Sequence, residues 1–185
     1  MKPEITEQEK RLRDKLLPEI EAFKQQHKSL QLATLGIDGQ PNASYAPFAL
    51  ADDGFYILVS DLARHGHNLK HSAKVSVMLV EDETVAKSVF ARKRLTFDAI
   101  AEVVPRGSPA FSKGVGVLSA RFGEMSENLA ALTDFNLYKL APHQGLYVKG
   151  FGQAFVLSGV ELLDVGWKRD GHHGSAQLTE NTQLA

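Results

Sequence analysis

Two neighbouring histidines, His172 and His173, lie between glycines close to the C-terminal end of the sequence. Neutral imidazole is the commonest metal ligand in proteins, so such a pair is a candidate metal-binding site. Polar residues that follow the last predicted strand are, however, typical of a solvated chain end. The pattern alone leaves both interpretations open.

A basic run, Phe90-Ala-Arg-Lys-Arg-Leu-Thr-Phe97, is the second candidate. If it is a strand, the alternation of side chains places Arg92, Arg94 and Thr96 on one face. Two guanidinium groups and a hydroxyl in a row form a platform for an anion, because the guanidinium fork matches phosphate and carboxylate geometry. The alternative is a solvated barrel face with surface ion pairs.

The third candidate is the segment 60–69, where a strand end runs into a short helix. The free backbone amides of a helix N-terminus attract anions, and Arg64, His65 and Asn68 would add side-chain donors. The alternative is that these are exposed polar residues of a short helix. His67 and His71, four residues apart, share a helix face, but no third metal ligand lies near them in the sequence.

Asp134 is a candidate partner for a histidine ligand, because a carboxylate that accepts the free N–H of a metal-bound imidazole fixes its tautomer. Sequence spacing does not pair Asp134 with His172. A turn or helix-end aspartate is the commoner role for such a residue.

The composition limits the classes of function. The 185 residues fit one domain, and the net charge of -1 provides no overall field for nucleic acid or an anionic membrane. The absence of cysteine excludes disulfides, thiolate metal sites and iron–sulfur clusters. Residues 1–15 have no apolar segment typical of a secretory signal, and no apolar stretch reaches the ~18 residues of a membrane span. We therefore expect a cytoplasmic protein.

Hydrophobic periodicity predicts a mainly β protein with helices. An amphipathic N-terminal helix is expected to bend or break at Pro18. Further helices are predicted at residues 62–72, 109–124 and 127–133. The predicted strands cover residues 29–35, 42–50, 55–60, 74–81, 92–103, 135–140 and 145–157. The last two are predicted to form a hairpin through 141–144, and Leu162 and Leu163 to pack as a last short element. Antiparallel strands in this number favour a small closed barrel of α+β character, because closure removes exposed edges.

The motifs resemble those of the HugZ/HutZ-type haem-utilisation proteins, a branch of the FMN-binding split-barrel superfamily that includes the pyridoxamine-phosphate oxidases. The similar segments are residues 30–34, 41–48, 63–69, 81–84, 90–98, 121–124, 134–135, 145–154 and 171–172. They follow one another through nearly the whole chain. The resemblance predicts an N-terminal helical segment (1–28), a split-barrel domain (29–164) and a C-terminal haem-binding loop (165–185).

The resemblance also implies the site. It implies a homodimer with haem at the subunit interface and His172 as the axial ligand of the iron. Asp134 matches the family aspartate that forms a hydrogen bond with this histidine, and Arg94 matches an arginine near the haem propionates. His65, Asn68 and Arg92 are predicted to be cofactor-binding residues, near the pocket that flavoprotein relatives use for the FMN phosphate. His173, beside His172, leaves the identity of the ligand open.

The function implied is an oxidoreductase that degrades haem, which is both cofactor and substrate, to a biliverdin-type product with release of iron. It would use O₂ and an unidentified electron donor, with a haem-delivery protein as a candidate partner, and would bind no nucleic acid or membrane. Two alternatives stay open: haem storage or delivery without turnover, and an FMN-dependent oxidase of the pyridoxamine-phosphate type.

Overall fold

The computed structural model describes residues 7–158 and 164–167, which form nine strands and four α-helices. The strands are β1 (Ser29–Leu35), β2 (Pro41–Pro47), β3 (Ala49–Ala51), β4 (Gly54–Ser60), β5 (Lys74–Val80), β6 (Arg94–Val103), β7 (Phe135–Gly150), β8 (Gln153–Ser158) and β9 (Asp164–Trp167). The helices are α1 (Glu7–Gln26), α2 (Arg64–His71), α3 (Pro109–Phe122) and α4 (Glu124–Ala131). A 3₁₀ turn, Val89–Ala91, precedes β6.

All nine strands belong to one antiparallel sheet with the order β2-β1-β5-β6-β7-β4-β3, and β8 and β9 continue from β7. Buried and more exposed side chains alternate along β1, β5 and β6, as expected of strands with one face in a core. The sheet curls into a split barrel, which confirms the predicted mainly β class with helices.

The predicted hairpin through residues 141–144 is wrong. Here β7 continues for 16 residues, pairing with β6 along its length, with β4 through its first half and with β8 through its second. Pro142 is accommodated where the register with β6 shifts, between Asp98 and Ala99, so its missing amide does not end the strand. The chain reverses later, where Gly152 has a φ of 68°.

Helix α1 is continuous from Glu7 to Gln26, although a bend or break at Pro18 was expected. Pro18 does not interrupt it, because this residue is exposed and the carbonyl that loses its amide partner can bond to water. The predicted apolar stripe is confirmed: Leu16, Ile20 and Phe23 are buried in the barrel core. Glu19 accepts hydrogen bonds from Tyr147 Oη at 2.9 Å and Lys149 Nζ at 2.5 Å. These contacts hold α1 against β7.

The core has two parts, on opposite faces of β4 and β7. The larger part fills the barrel, where its members include Leu30, Ile57 and Phe97. The smaller lies under α3 and includes Tyr56 and Leu137. Gly114 permits this packing, since a Cβ there would come within 2.6 Å of the Tyr56 ring.

Helix α2 lies across the end of β4. A Cβ on Gly66 would overlap the backbone oxygen of Ser60, so only glycine allows this close approach. Leu69 on the same helix packs into the barrel core.

Two further expectations concern the end of the chain. The predicted boundary between residues 164 and 165 falls within β9, while Leu162 and Leu163 lie outside the described residues. No helix in the described ranges has both the length and the apolar character needed to cross a membrane.

Candidate functional site

One face of the sheet carries the candidate anion site. The residues that point away from the barrel core form three cross-strand rows on β1, β2, β5, β6, β7 and β8. We call the surface formed by these three rows the open face. The first row is Tyr45, Gln31, Met78, Thr96, Leu146 and Val156. The second is Val80, Arg94, Val148 and Ala154. The third is Ala43, Ala33, Ser76, Asp98, Gln144 and Ser158.

Small and apolar side chains dominate the open face, although it is no part of either hydrophobic cluster of the described residues. Tyr45 is 69 % exposed, and Ala33 and Ala43 are exposed beside it. A shallow groove of about 530 Å³ crosses the face between Tyr45 and Met78. A surface of this kind suits a flat, apolar ligand.

Arg94 is the single cation in the three rows of the open face. It is half-buried between Val80 and Val148, its cross-strand neighbours, at the start of β6. Its guanidinium makes no hydrogen bond or ion pair with any described residue, so its donors are available to an anion. Thr96 adds a hydroxyl on the same face, as the alternation predicts.

Arg92 does not join them on the face, because β6 begins only at Arg94. Its Nε donates to the backbone oxygen of Glu81 at 2.7 Å, and its Nη1 pairs with Glu83 Oε1 at 2.9 Å. Nη2 also donates to the Glu81 oxygen. Arg92 thus ties the loop before β6 to the end of β5, and its role in cofactor binding remains a prediction.

His65 lies at the start of α2 and contacts β2. Its Nδ1 is 2.9 Å from Ser44 Oγ, and that hydroxyl donates its own hydrogen to the backbone oxygen of Leu32 at 3.2 Å. A hydroxyl has one hydrogen, so His65 must be the donor in the first bond. Burial lowers the pKa of His65, which favours the neutral ring with its Nε2 lone pair free.

Asn68, the other predicted cofactor ligand on α2, is buried. Its Nδ2 donates to Thr34 Oγ1 at 2.9 Å, and Asn42 donates to the same oxygen at 3.4 Å. The bond to Thr34 fixes α2 against β1. His67 and His71 are both exposed. Within 7–158 and 164–167, no three His, Asp or Glu side chains are grouped to hold a metal ion.

Asp134 lies at the start of β7, against the end of β4. Its Oδ2 accepts a hydrogen bond from Ser60 Oγ at 2.7 Å, and its backbone oxygen accepts one from the Asp61 amide at 2.7 Å. Asp61 in turn accepts from Asn136 Nδ2 at 2.7 Å. Asp134 Oδ1 has no partner among the described residues. This oxygen can accept a further hydrogen bond.

Arg94 and Asp134 are not brought together within one chain. Arg94 pairs with Val148 of β7. Val148 lies 14 residues after Asp134 in the sequence, which is a contour length of about 45 Å for extended chain. The two residues therefore lie at opposite ends of the β6–β7 ladder. His172 and His173 lie outside the described residues.

Sequence reasoning missed Ser60 and Ser44, the partners of two predicted site residues. Ser60 lies 74 positions from Asp134, and Ser44 lies 21 from His65. Neither separation belongs to a motif, because the contacts arise only when separate strands and α2 meet. Ser60 does end a buried strand next to a predicted site, which was the one signal available.

The comparisons with known proteins agree with this architecture. A family model described as pyridoxamine 5'-phosphate oxidase matches residues 16–149. The heme oxygenase HutZ of Vibrio cholerae is 49% identical over 164 residues, which cover 89% of this chain and 93% of that protein.

Two solved structures are also similar. A crystal structure of Vibrio cholerae HutZ, described as a heme storage protein, has a TM-score of 0.69 and 46% identity and covers 79% of this chain and 98% of its own. Campylobacter jejuni ChuZ has a TM-score of 0.74 and 33% identity and covers 82% of this chain and 61% of its own. The predicted resemblance is confirmed. The chain belongs to the pyridoxamine 5'-phosphate oxidase family of split-barrel proteins, in the branch that contains HutZ.

Proposed function

We propose that this protein binds haem between two copies of the chain and degrades it oxidatively, with release of iron. The observation that carries the proposal is the open face, an apolar surface with one half-buried arginine that has no partner in the described chain. A porphyrin has the matching chemistry, because its ring is flat and apolar and its propionates are anionic. The name of the relative HutZ, a heme oxygenase, supports the same ligand.

The residues fit haem in separate roles. The open face packs against the porphyrin ring and excludes water from one side of it. Arg94 binds a propionate through its guanidinium fork. His172 is the proposed ligand of the iron, and Asp134 accepts the N–H on the other nitrogen of that imidazole through Oδ1. Bound haem supplies the iron at which O₂ reacts, with electrons from a separate donor.

A second copy of the chain is part of the proposal. The second copy is proposed because Arg94 and Asp134 lie towards opposite ends of the β6–β7 ladder of one chain. Two copies that face each other across the open face would bring Arg94 of one subunit and Asp134 of the other to one ligand. Each symmetric dimer would then hold two equivalent sites.

Storage or delivery of haem without turnover is the second candidate, favoured by the description of the HutZ crystal structure. It needs the same open face and the same Arg94. An FMN-dependent oxidase is the third, from the family as a whole. The contacts of Arg92 with Glu81 and Glu83 leave that guanidinium poorly placed for a flavin phosphate.

The test is to add ferric haem to the full-length protein, then a reductant in air, and to record absorption spectra. We expect a haem complex that bleaches as a biliverdin-type product and free iron form. His172→Ala should abolish the spectrum of the histidine complex, while its neighbour variant His173→Ala should preserve it.

The other results select a different function or a different iron ligand. A complex that forms and never bleaches would refute degradation and support storage. A purified protein with a flavin spectrum and no affinity for haem would support the FMN-dependent oxidase. If His173→Ala rather than His172→Ala changes the haem spectrum, the iron ligand is His173.

A further inference from the structure

Ser60 Oγ makes a hydrogen bond that fixes the orientation of the Asp134 carboxylate. The oxygen accepts the Leu62 amide at 3.1 Å and has one hydrogen of its own, which it donates to Asp134 Oδ2 at 2.7 Å. The direction of the Ser60–Asp134 bond is therefore defined by the backbone that follows β4. Ser60 itself is anchored by the pairing of β4 with β7, in which it lies opposite Phe135.

Without such a hydrogen bond, the terminal torsion angle of an aspartate takes a wide range of values, and either oxygen can face a given partner. Here Oδ2 is occupied and Oδ1 is left free. The backbone of Asp134 is held as well, since its carbonyl accepts the Asp61 amide. The carboxylate therefore presents one defined oxygen.

The donor is also neutral. No lysine or arginine of the described chain forms an ion pair with Asp134, whereas the neighbouring Asp61 is paired with Lys70 at 2.8 Å. A cation on Asp134 would neutralise its charge and weaken it as an acceptor. A serine hydroxyl orients the carboxylate and leaves that charge in place.

We propose that Ser60 is a positioning residue, which holds Asp134 so that Oδ1 receives the hydrogen bond of the iron-bound imidazole. This inference rests on the proposed function, in which Asp134 bonds to the haem ligand. Loss of the hydroxyl frees the carboxylate to rotate. The hydrogen bond from the imidazole N–H to the carboxylate would then weaken, and electron donation from the histidine to the iron would fall.

The experiment compares full-length variants loaded with haem and reduced without O₂, and it measures the iron–histidine stretching frequency by resonance Raman spectroscopy. Asp134→Asn should lower this frequency, because an amide is a weaker acceptor than a carboxylate. Ser60→Ala should lower it by a smaller amount. Ser60→Thr, which keeps the hydroxyl, should restore the frequency of the unaltered chain.

Ser119→Ala is the matched control, because Ser119 also donates to a carboxylate, that of Glu127 at 2.6 Å, on α3 and α4. It should leave the frequency unchanged. Urea unfolding of each haem-free variant separates a loss of stability from a change at the iron.

Four results would overturn the inference. If Asp134→Asn lowers the frequency and Ser60→Ala does not, Ser60 does not position the carboxylate, and the proposed function stands. If Ser60→Thr behaves like Ser60→Ala, the hydroxyl is not the cause. If Asp134→Asn has no effect, or the unaltered chain binds no haem, the failure is in the proposed function itself.

Discussion

Arg94 and Arg92 are two residues apart, and their guanidinium groups have different surroundings. Arg92 donates hydrogen bonds to Glu81 and Glu83, whereas Arg94 lies on the open face with no partner in the described chain. Strand alternation predicted the face of Arg94 correctly. It failed for Arg92 because the strand starts two residues later than the sequence indicates.

At the residue scale, Arg94→Gln should weaken haem binding about 10- to 100-fold, since hydrogen bonds to charged groups contribute about 1.5–3 kcal/mol. Titration of the haem-free protein with haem, followed by absorption, measures this loss. Arg94→Lys keeps the charge without the planar fork, so its affinity for haem should lie between those of the unaltered chain and Arg94→Gln.

Lys87→Gln is the control for net charge, because Lys87 is exposed in the loop that precedes the 3₁₀ turn. It should bind haem as the unaltered chain does. An equal loss of affinity in Lys87→Gln and Arg94→Gln would mean that the overall charge, and not the fork of Arg94, attracts the propionates.

At the scale of elements, the sequence predicted most strands and helices because their hydrophobic periods are clear. It failed at the middle of β7, where Pro142 and polar neighbours indicated a turn. The pairing of β7 with β4, β6 and β8 overrides this local preference, since long-range hydrogen bonds continue through the bulge. For the same reason the approach of Ser60 to Asp134 was not predictable.

The docking of α2 on β4 gives the prediction at this scale. Gly66→Ala should lower the free energy of unfolding by at least ~2 kcal/mol, because the added methyl overlaps the Ser60 carbonyl. Since Ser60 carries the bond to Asp134, this variant should also disturb the haem site. Urea unfolding checks the first effect.

Gly116→Ala on α3 is the matched control. Gly116 is exposed, and a Cβ there would meet nothing within 4 Å. Alanine should raise the free energy of unfolding by about 0.5–1 kcal/mol through its better helix propensity. If both variants had the same effect, close packing of α2 on β4 would not be the reason for Gly66.

At the scale of the whole molecule, the long β7 separates the two candidate haem contacts. In the proposed dimer, each chain therefore contributes one half of two different sites instead of a complete site. Two copies related by a twofold axis would combine these halves, because an isologous interface repeats every contact twice. Oligomeric assembly is thus part of the proposed chemistry and not only a source of stability.

A mixing experiment tests this arrangement. An Arg94→Gln chain and an Asp134→Asn chain each form dimers in which every site lacks one contact. In a mixed dimer, one site has both substitutions and the other has neither. After random exchange of subunits, about a quarter of all sites should therefore regain full haem-degrading activity. Mixtures kept from exchanging should keep the reduced activity of the separate variants. If exchange restores nothing, Arg94 and Asp134 act on haem from the same chain, and the proposed arrangement across two subunits is wrong.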